Sequence, residues 1–175
     1  MGKLNKLLII TTSCIVIATP IIRHKLKAQD YLKNLSSGVI LEATQGLRGS
    51  VFESTKILLV DYLPEGATGV VLNKPLEDDL FWGGPIAQSH RLWLAYQPQT
   101  GAMTMVGNKP AITIDDHSVI IARFSGYTGW GQSQLDKEIL KGDWRVFKAN
   151  REQISQWLLT NNSNNKKSES ELSVE

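Results

Sequence analysis

A chain of 175 residues has room for one domain and little else, and with 42% apolar and 21% charged residues a core can form. The formal net charge of +2 is unevenly placed: residues 1–30 hold five Lys/Arg and one acid, residues 31–160 twelve Lys/Arg and thirteen acids. The domain therefore lacks the clustered basic charge that direct nucleic-acid binding requires, and a single cysteine, Cys14, excludes an intrachain disulfide.

Lys3 and Lys6 precede an apolar run from Leu7 to Ile22, interrupted by Thr11, Thr12, Ser13, Thr19 and Pro20 and closed by Arg23, His24, Lys25 and Lys27. A membrane-spanning helix needs about 20 apolar residues, with a lower limit near ~17. The run sits at that limit, and the first expectation is a single-pass signal anchor inserting in the membrane through residues 7–22. On that reading the chain is membrane-associated, and the Lys/Arg excess after the run favours a cytoplasmic domain. Two alternatives stay open. One is a signal peptide cleaved near Leu26-Lys27-Ala28, with export; the other is a buried or interfacial helix, with a cytoplasmic chain and no insertion. The organisation expected is a membrane segment over residues 1–29, a domain over 30–160, and a disordered polar tail over 161–175.

Residues 28–37 are polar and read as a linker or short helix. Val39-Ile40-Leu41, Ile57-Leu58-Leu59-Val60 and Gly69-Val70-Val71-Leu72 are short apolar runs of buried-strand length, the last two separated by the Pro64-Glu65-Gly66 turn. Further strand signals lie at Arg91 to Leu94, Ala102 to Val106, Ala111 to Ile114, Val119 to Ala122 and Asp143 to Phe147. Between the last two stands Ser125-Gly-Tyr-Thr-Gly-Trp-Gly131, which reads as a glycine loop entering a helix. Ser133 is its expected N-cap, in a near capping box with Asp136; Leu135, Ile139 and Leu140 form the apolar face, and Gly142 the C-terminal stop. Asn150 with Gln153 makes a second capping box before Ile154, Trp157 and Leu158. Strands outnumber helices without alternating with them. The fold class expected is α+β: a single compact domain with a mixed, mainly antiparallel sheet and a few short helices.

Three segments carry unusual wording. They are Gly66-Ala-Thr-Gly-Val-Val-Leu-Asn-Lys-Pro75, Trp82-Gly-Gly-Pro-Ile86, and Gly126-Tyr-Thr-Gly-Trp-Gly131 continuing to Gln134, Leu135 and Glu138. In this order they resemble the signature of the AlgH/YqgE family, with the likeness spanning about residues 38–149. Phe52 fits the family's connecting phenylalanine, whereas Tyr62 stands where the family pattern has a histidine, and Gln132-Ser133 replace its Pro-Gly. The resemblance implies a regulatory role without a settled reaction. It nominates a motif surface of Asn73, Lys74, Pro75, Gly83, Gly84, Pro85, Gly126, Tyr127, Gly129, Trp130, Gly131, Gln134 and Glu138.

The residues themselves point to no catalytic, cofactor-binding or metal set. Asp115-Asp116-His117 is the sole local acid–histidine cluster and reads as a hydrophilic turn between strands. His24, His90 and His117 are scattered, and Glu77-Asp78-Asp79 lacks a calcium-loop pattern. The glycine stretch has neither phosphate-loop spacing nor a basic residue, so packing of strand on helix competes with a binding groove. Two functional readings follow. The first is a non-enzymatic regulatory or interaction module acting through an unknown protein partner. The second is a small-molecule-binding or hydrolytic enzyme using the glycine-rich face.

Overall fold

The computed structural model describes residues 22–77, 80–97, 100, 102–107 and 119–158. The domain is α+β. In chain order come α1 (22–33), β1 (Val39–Ala43), a 3-10 turn (Gln45–Leu47), β2 (Lys56–Leu63), β3 (Gly66–Val71), β4 (Pro75–Glu77) and β5 (Leu80–Trp82). They are followed by β6 (Ile86–Gln97), β7 (Ala102–Gly107), β8 (Val119–Gly131), α2 (Gln134–Lys141), β9 (Trp144–Lys148) and α3 (151–158).

The strands join in one mixed sheet, ordered β4-β5-β8-β3-β2-β1-β9, with β6 on the other edge of β8 and β7 beyond it. Only β5 runs parallel to its neighbour β8 among the described pairings; the rest are antiparallel. The first strands are continuous apolar runs because they are buried on both faces. Side chains alternate along a strand, so Val39, Leu41, Ile57 and Leu59 enter one core with Trp130, Leu135, Ile139 and Trp144. Ile40, Leu58, Val70 and Leu72 enter a second core with Phe81, Leu94, Phe124, Ile154 and Leu158. Helix α2 covers the first face and α3 the second.

The centre of the sheet is β8, 13 residues long. Its first half pairs with β6 and β5, and its second half, Thr128 to Gly131, pairs with β3. The glycine stretch expected as a loop is thus mostly strand. Helix α2 ends as its sequence dictates: the Gly142 N–H reaches Ile139 O at 3.0 Å and the Asp143 N–H reaches Glu138 O at 3.0 Å, with Gly142 at φ 93°. Its start differs from expectation. Ser133 has φ 56° and its side chain makes no capping bond; Gln134 instead accepts the Gly131 N–H on Oε1 at 3.1 Å. The second capping box forms as expected, with Asn150 and Gln153 exchanging bonds of 3.0 and 2.9 Å.

The membrane expectation is corrected. No helix among the described residues is long and apolar enough to cross a membrane, so the single-pass anchor through residues 7–22, and the membrane-associated localisation built on it, are withdrawn. Over its described residues helix α1 carries Arg23, Lys25, Lys27, Asp30 and Lys33, charges that a hydrocarbon core would reject. Its partly buried Tyr31 and Leu32 pack against the first core, and Ala28 is buried. Residues 7–21, the strand signal at Ala111 to Ile114, Asp115-Asp116-His117, Asp78-Asp79 and the tail 161–175 lie outside the described residues.

Candidate functional site

The three motif segments converge where β3, β5 and β8 meet. Gly83 bridges its neighbours: its N–H donates to Ser125 O at 2.9 Å and its O accepts from Val71 N at 3.0 Å. A Cβ at Gly83 would strike the carbonyl of Gly126, and one at Gly84 the carbonyl of Tyr127. Gly126 itself has φ 72°, and a Cβ there would lie 2.6 Å from Ile86 O. These glycines let two backbones touch where side chains would hold them apart. Gly129 and Gly131 take ordinary strand backbone. Pro85 is exposed, and Tyr127 leans on the second core.

Asn73 and Lys74 work on the 51–55 loop. The Asn73 side chain accepts from Lys56 N and donates to Ser54 O, both at 2.8 Å. Lys74 donates to Val51 O and holds its ammonium 5.1 Å above the Trp82 ring. Pro75 opens β4 opposite Phe81. Trp82 packs on Phe52, and Phe52 packs edge-on to Trp144, with ring centroids 6.2 and 6.0 Å apart. Trp144 is edge-on to Trp130 in turn, at 6.1 Å. The aromatic chain ends at Glu138. One carboxylate oxygen, Oε2, accepts both indole N–H groups, from Trp130 at 2.9 Å and Trp144 at 2.8 Å. The other, Oε1, accepts from Gln134 at 2.9 Å. Glu138 is thus the polar hub of an otherwise apolar core.

Beside this joint lies a cleft of about 400 Å³ between the β2–β3 turn and the start of α2. Leu63, Pro64 and Gly66 form one side, Gly131, Gln132 and Ser133 the other. The buried Ala67 and Leu135 contribute its apolar lining. At its polar end Tyr62 Oη donates to Asp136 Oδ1 at 2.8 Å. A smaller cavity of about 190 Å³ between α1 and β9 is lined by both Asp30 and Lys148, whose charges offset one another. Among the described residues no group of three or more His, Cys, Asp or Glu is placed to hold a metal.

The AlgH-like family profile matches residues 40–167, which takes in all three motif segments. The chain belongs to the AlgH-like family. A UPF0301 protein of Streptomyces coelicolor is 32% identical over 145 residues, covering 65% of this chain and 75% of its own. A UPF0301 protein of Chlamydia trachomatis is 27% identical over 151 residues, covering 69% and 78%. The solution structure of the AlgH protein from Pseudomonas aeruginosa superposes with a TM-score of 0.51 at 21% identity, covering 65% of this chain and 77% of that one. At that identity the superposition speaks for the fold alone.

In this AlgH-like domain the structure draws Asn73, Lys74, Gly83, Gly84, Gly126, Trp130 and Glu138 into one joint, while Gly131 and Gln134 lie between joint and cleft. The motif reading missed Tyr62 and Asp136. Tyr62 carried one signal, a departure from the family's histidine; Asp136 read as half of a capping box. Burial pushes the Tyr62 phenol up from its ordinary value, and the hydrogen bond and charge of Asp136 push the same way. A raised value in the folded state means that this stabilisation is full below the unfolded value, near ~10, and is lost as pH rises through the folded one. Unfolding followed between pH 7 and 11 should therefore show a loss of stability above about pH 10 that a Tyr62→Phe variant lacks. Identical profiles would contradict the half-buried Tyr62–Asp136 pair.

Proposed function

We propose that this AlgH-like domain is a non-enzymatic regulatory module that binds a protein partner through the cleft beside α2. One observation carries the reading. The polar groups of the joint are engaged with one another: Glu138 with two indoles and Gln134, Asn73 with two backbone groups, Lys74 with a carbonyl and a ring. A site built for bond-making keeps an acid, base or nucleophile free to reach substrate, and these side chains instead hold the scaffold. The cleft offers what the joint does not. Leu63, 59% exposed, stands at its edge beside exposed Pro64, Gln132 and Ser133. An exposed apolar side chain next to polar groups is a common element of partner surfaces.

Affinity capture with the intact chain tests this. A partner retained by the native chain should be lost by Leu63→Asp, whose side chain already faces solvent and whose melting should stay within about 0.5 kcal/mol of the native value. A partner held equally by both would place recognition elsewhere.

A further inference from the structure

The cleft has a chemical preference that can be read from its lining. We propose that it receives a basic side chain, lysine or arginine, presented by the partner protein, with the cationic head on Asp136. The proposal rests on the interaction reading above and adds what the partner must offer.

Charge complementarity carries it. Among the described residues Asp136 is the sole carboxylate lining the cleft, and no Lys or Arg lines it. Tyr62 donates to Oδ1 of Asp136 and leaves Oδ2 with no described partner. A carboxylate with one oxygen fixed and the other open is oriented for an ammonium or a guanidinium fork. The start of α2 would by itself favour an anion, but Asp136 stands in its first turn and repels one. Exposed Glu65, between Pro64 and Gly66, adds a second negative charge at the turn. Exposed Leu63 and Pro64, with buried Ala67 and Leu135 beneath, supply apolar surface for the aliphatic stem of the incoming side chain. By contrast, the cavity between α1 and β9 already carries Lys148 opposite Asp30 and has no such unbalanced charge.

The test is a titration of the full chain, labelled with ¹⁵N, by three blocked tripeptides, acetyl-Gly-Xaa-Gly-amide, with Xaa arginine, norleucine or glutamate. The arginine peptide should give saturable shifts at the amides of Gly66, Gly131, Gln132 and Ser133. The norleucine peptide should bind there about tenfold or more weakly, and the glutamate peptide not at all. Asp136→Asn should weaken the arginine peptide about tenfold and leave norleucine unchanged. A second variant guards against a folding artefact. A Cβ at Gly131 meets nothing nearer than Gln134 Oε1 at 3.9 Å, so Gly131→Leu should keep the fold and block the cleft to every peptide. Equal affinity for arginine and norleucine would overturn the charge assignment while leaving the cleft a binding site. Absence of shifts with every peptide would overturn the assignment and the cleft reading together.

Discussion

Truncating Trp144 to alanine is expected to cost about 3–5 kcal/mol of unfolding free energy, measured by chemical denaturation. Trp144 is 1% exposed and sits where the aromatic chain crosses the first core, against Phe52 on one side and Trp130 on the other. The change removes its buried area, leaves a cavity beneath β9 and α2, and strips Glu138 of one donor. Trp144→Phe should recover most of the packing and fail to recover the hydrogen bond. Its residual loss then measures the indole N–H, at roughly 1–2 kcal/mol. A cost below about 1 kcal/mol for the alanine variant would mean that the aromatic chain does not hold the joint.

Replacing Glu138 by leucine should cost about 2–5 kcal/mol, because it leaves the indole N–H groups of the buried Trp130 and Trp144 without their acceptor at the half-buried edge of the core. Each buried, unpaired donor bears its full desolvation cost, while the leucine gains only apolar contact. Glu138→Gln keeps an acceptor oxygen at the same reach and should lose far less, on the order of 1 kcal/mol. The pair of variants separates the role of the oxygen from that of the charge. If leucine and glutamine melt alike, the two indole bonds contribute nothing and the hub assignment is wrong.

Much of this fold was legible in the sequence because of where its strands lie. Val39-Ile40-Leu41 and Ile57-Leu58-Leu59 have no polar alternation, and the structure buries them on both faces between two cores. The β8 strand was half hidden. Its first residues read as apolar strand, but Gly126, Gly129 and Gly131 weaken strand propensity and read as a loop. Gly83 and Gly84, more than 40 positions away in the chain, press their backbones against Gly126 and Tyr127 and make glycine tolerable there. No local pattern carries that information. The same holds for Glu138: Gln134 is its neighbour one turn back in the helix, yet its partners Trp130, eight positions before it, and Trp144, six after, are held beside it by the pairing of β8 with β3 and of β9 with β1.

The candidate site was legible in its members and not in its arrangement. The glycines and tryptophans of the motifs do meet, but they meet as an interior joint. Ser133 matched a cap pattern, yet its side chain caps nothing, and the Gln134 side chain turns back from the first helical position to accept the N–H of Gly131 at the end of β8. The Ser133 backbone is left-handed and lines the cleft. Tyr62 lies on β2, far in sequence from Asp136, and becomes part of a site only when the β2–β3 turn folds over the start of α2.

The division of labour between joint and cleft is the central claim, and partner capture per folded molecule tests it most directly. Native chain, Gly131→Leu and Glu138→Gln would be compared at equal folded fraction, set by their denaturation curves. The account predicts that Glu138→Gln retains the partner once its lower stability is allowed for, while Gly131→Leu melts like the native chain and retains none. A Gly131→Leu chain that holds the partner as well as the native one, or a folded Glu138→Gln chain that releases it, would contradict the account and move recognition from the cleft to the joint.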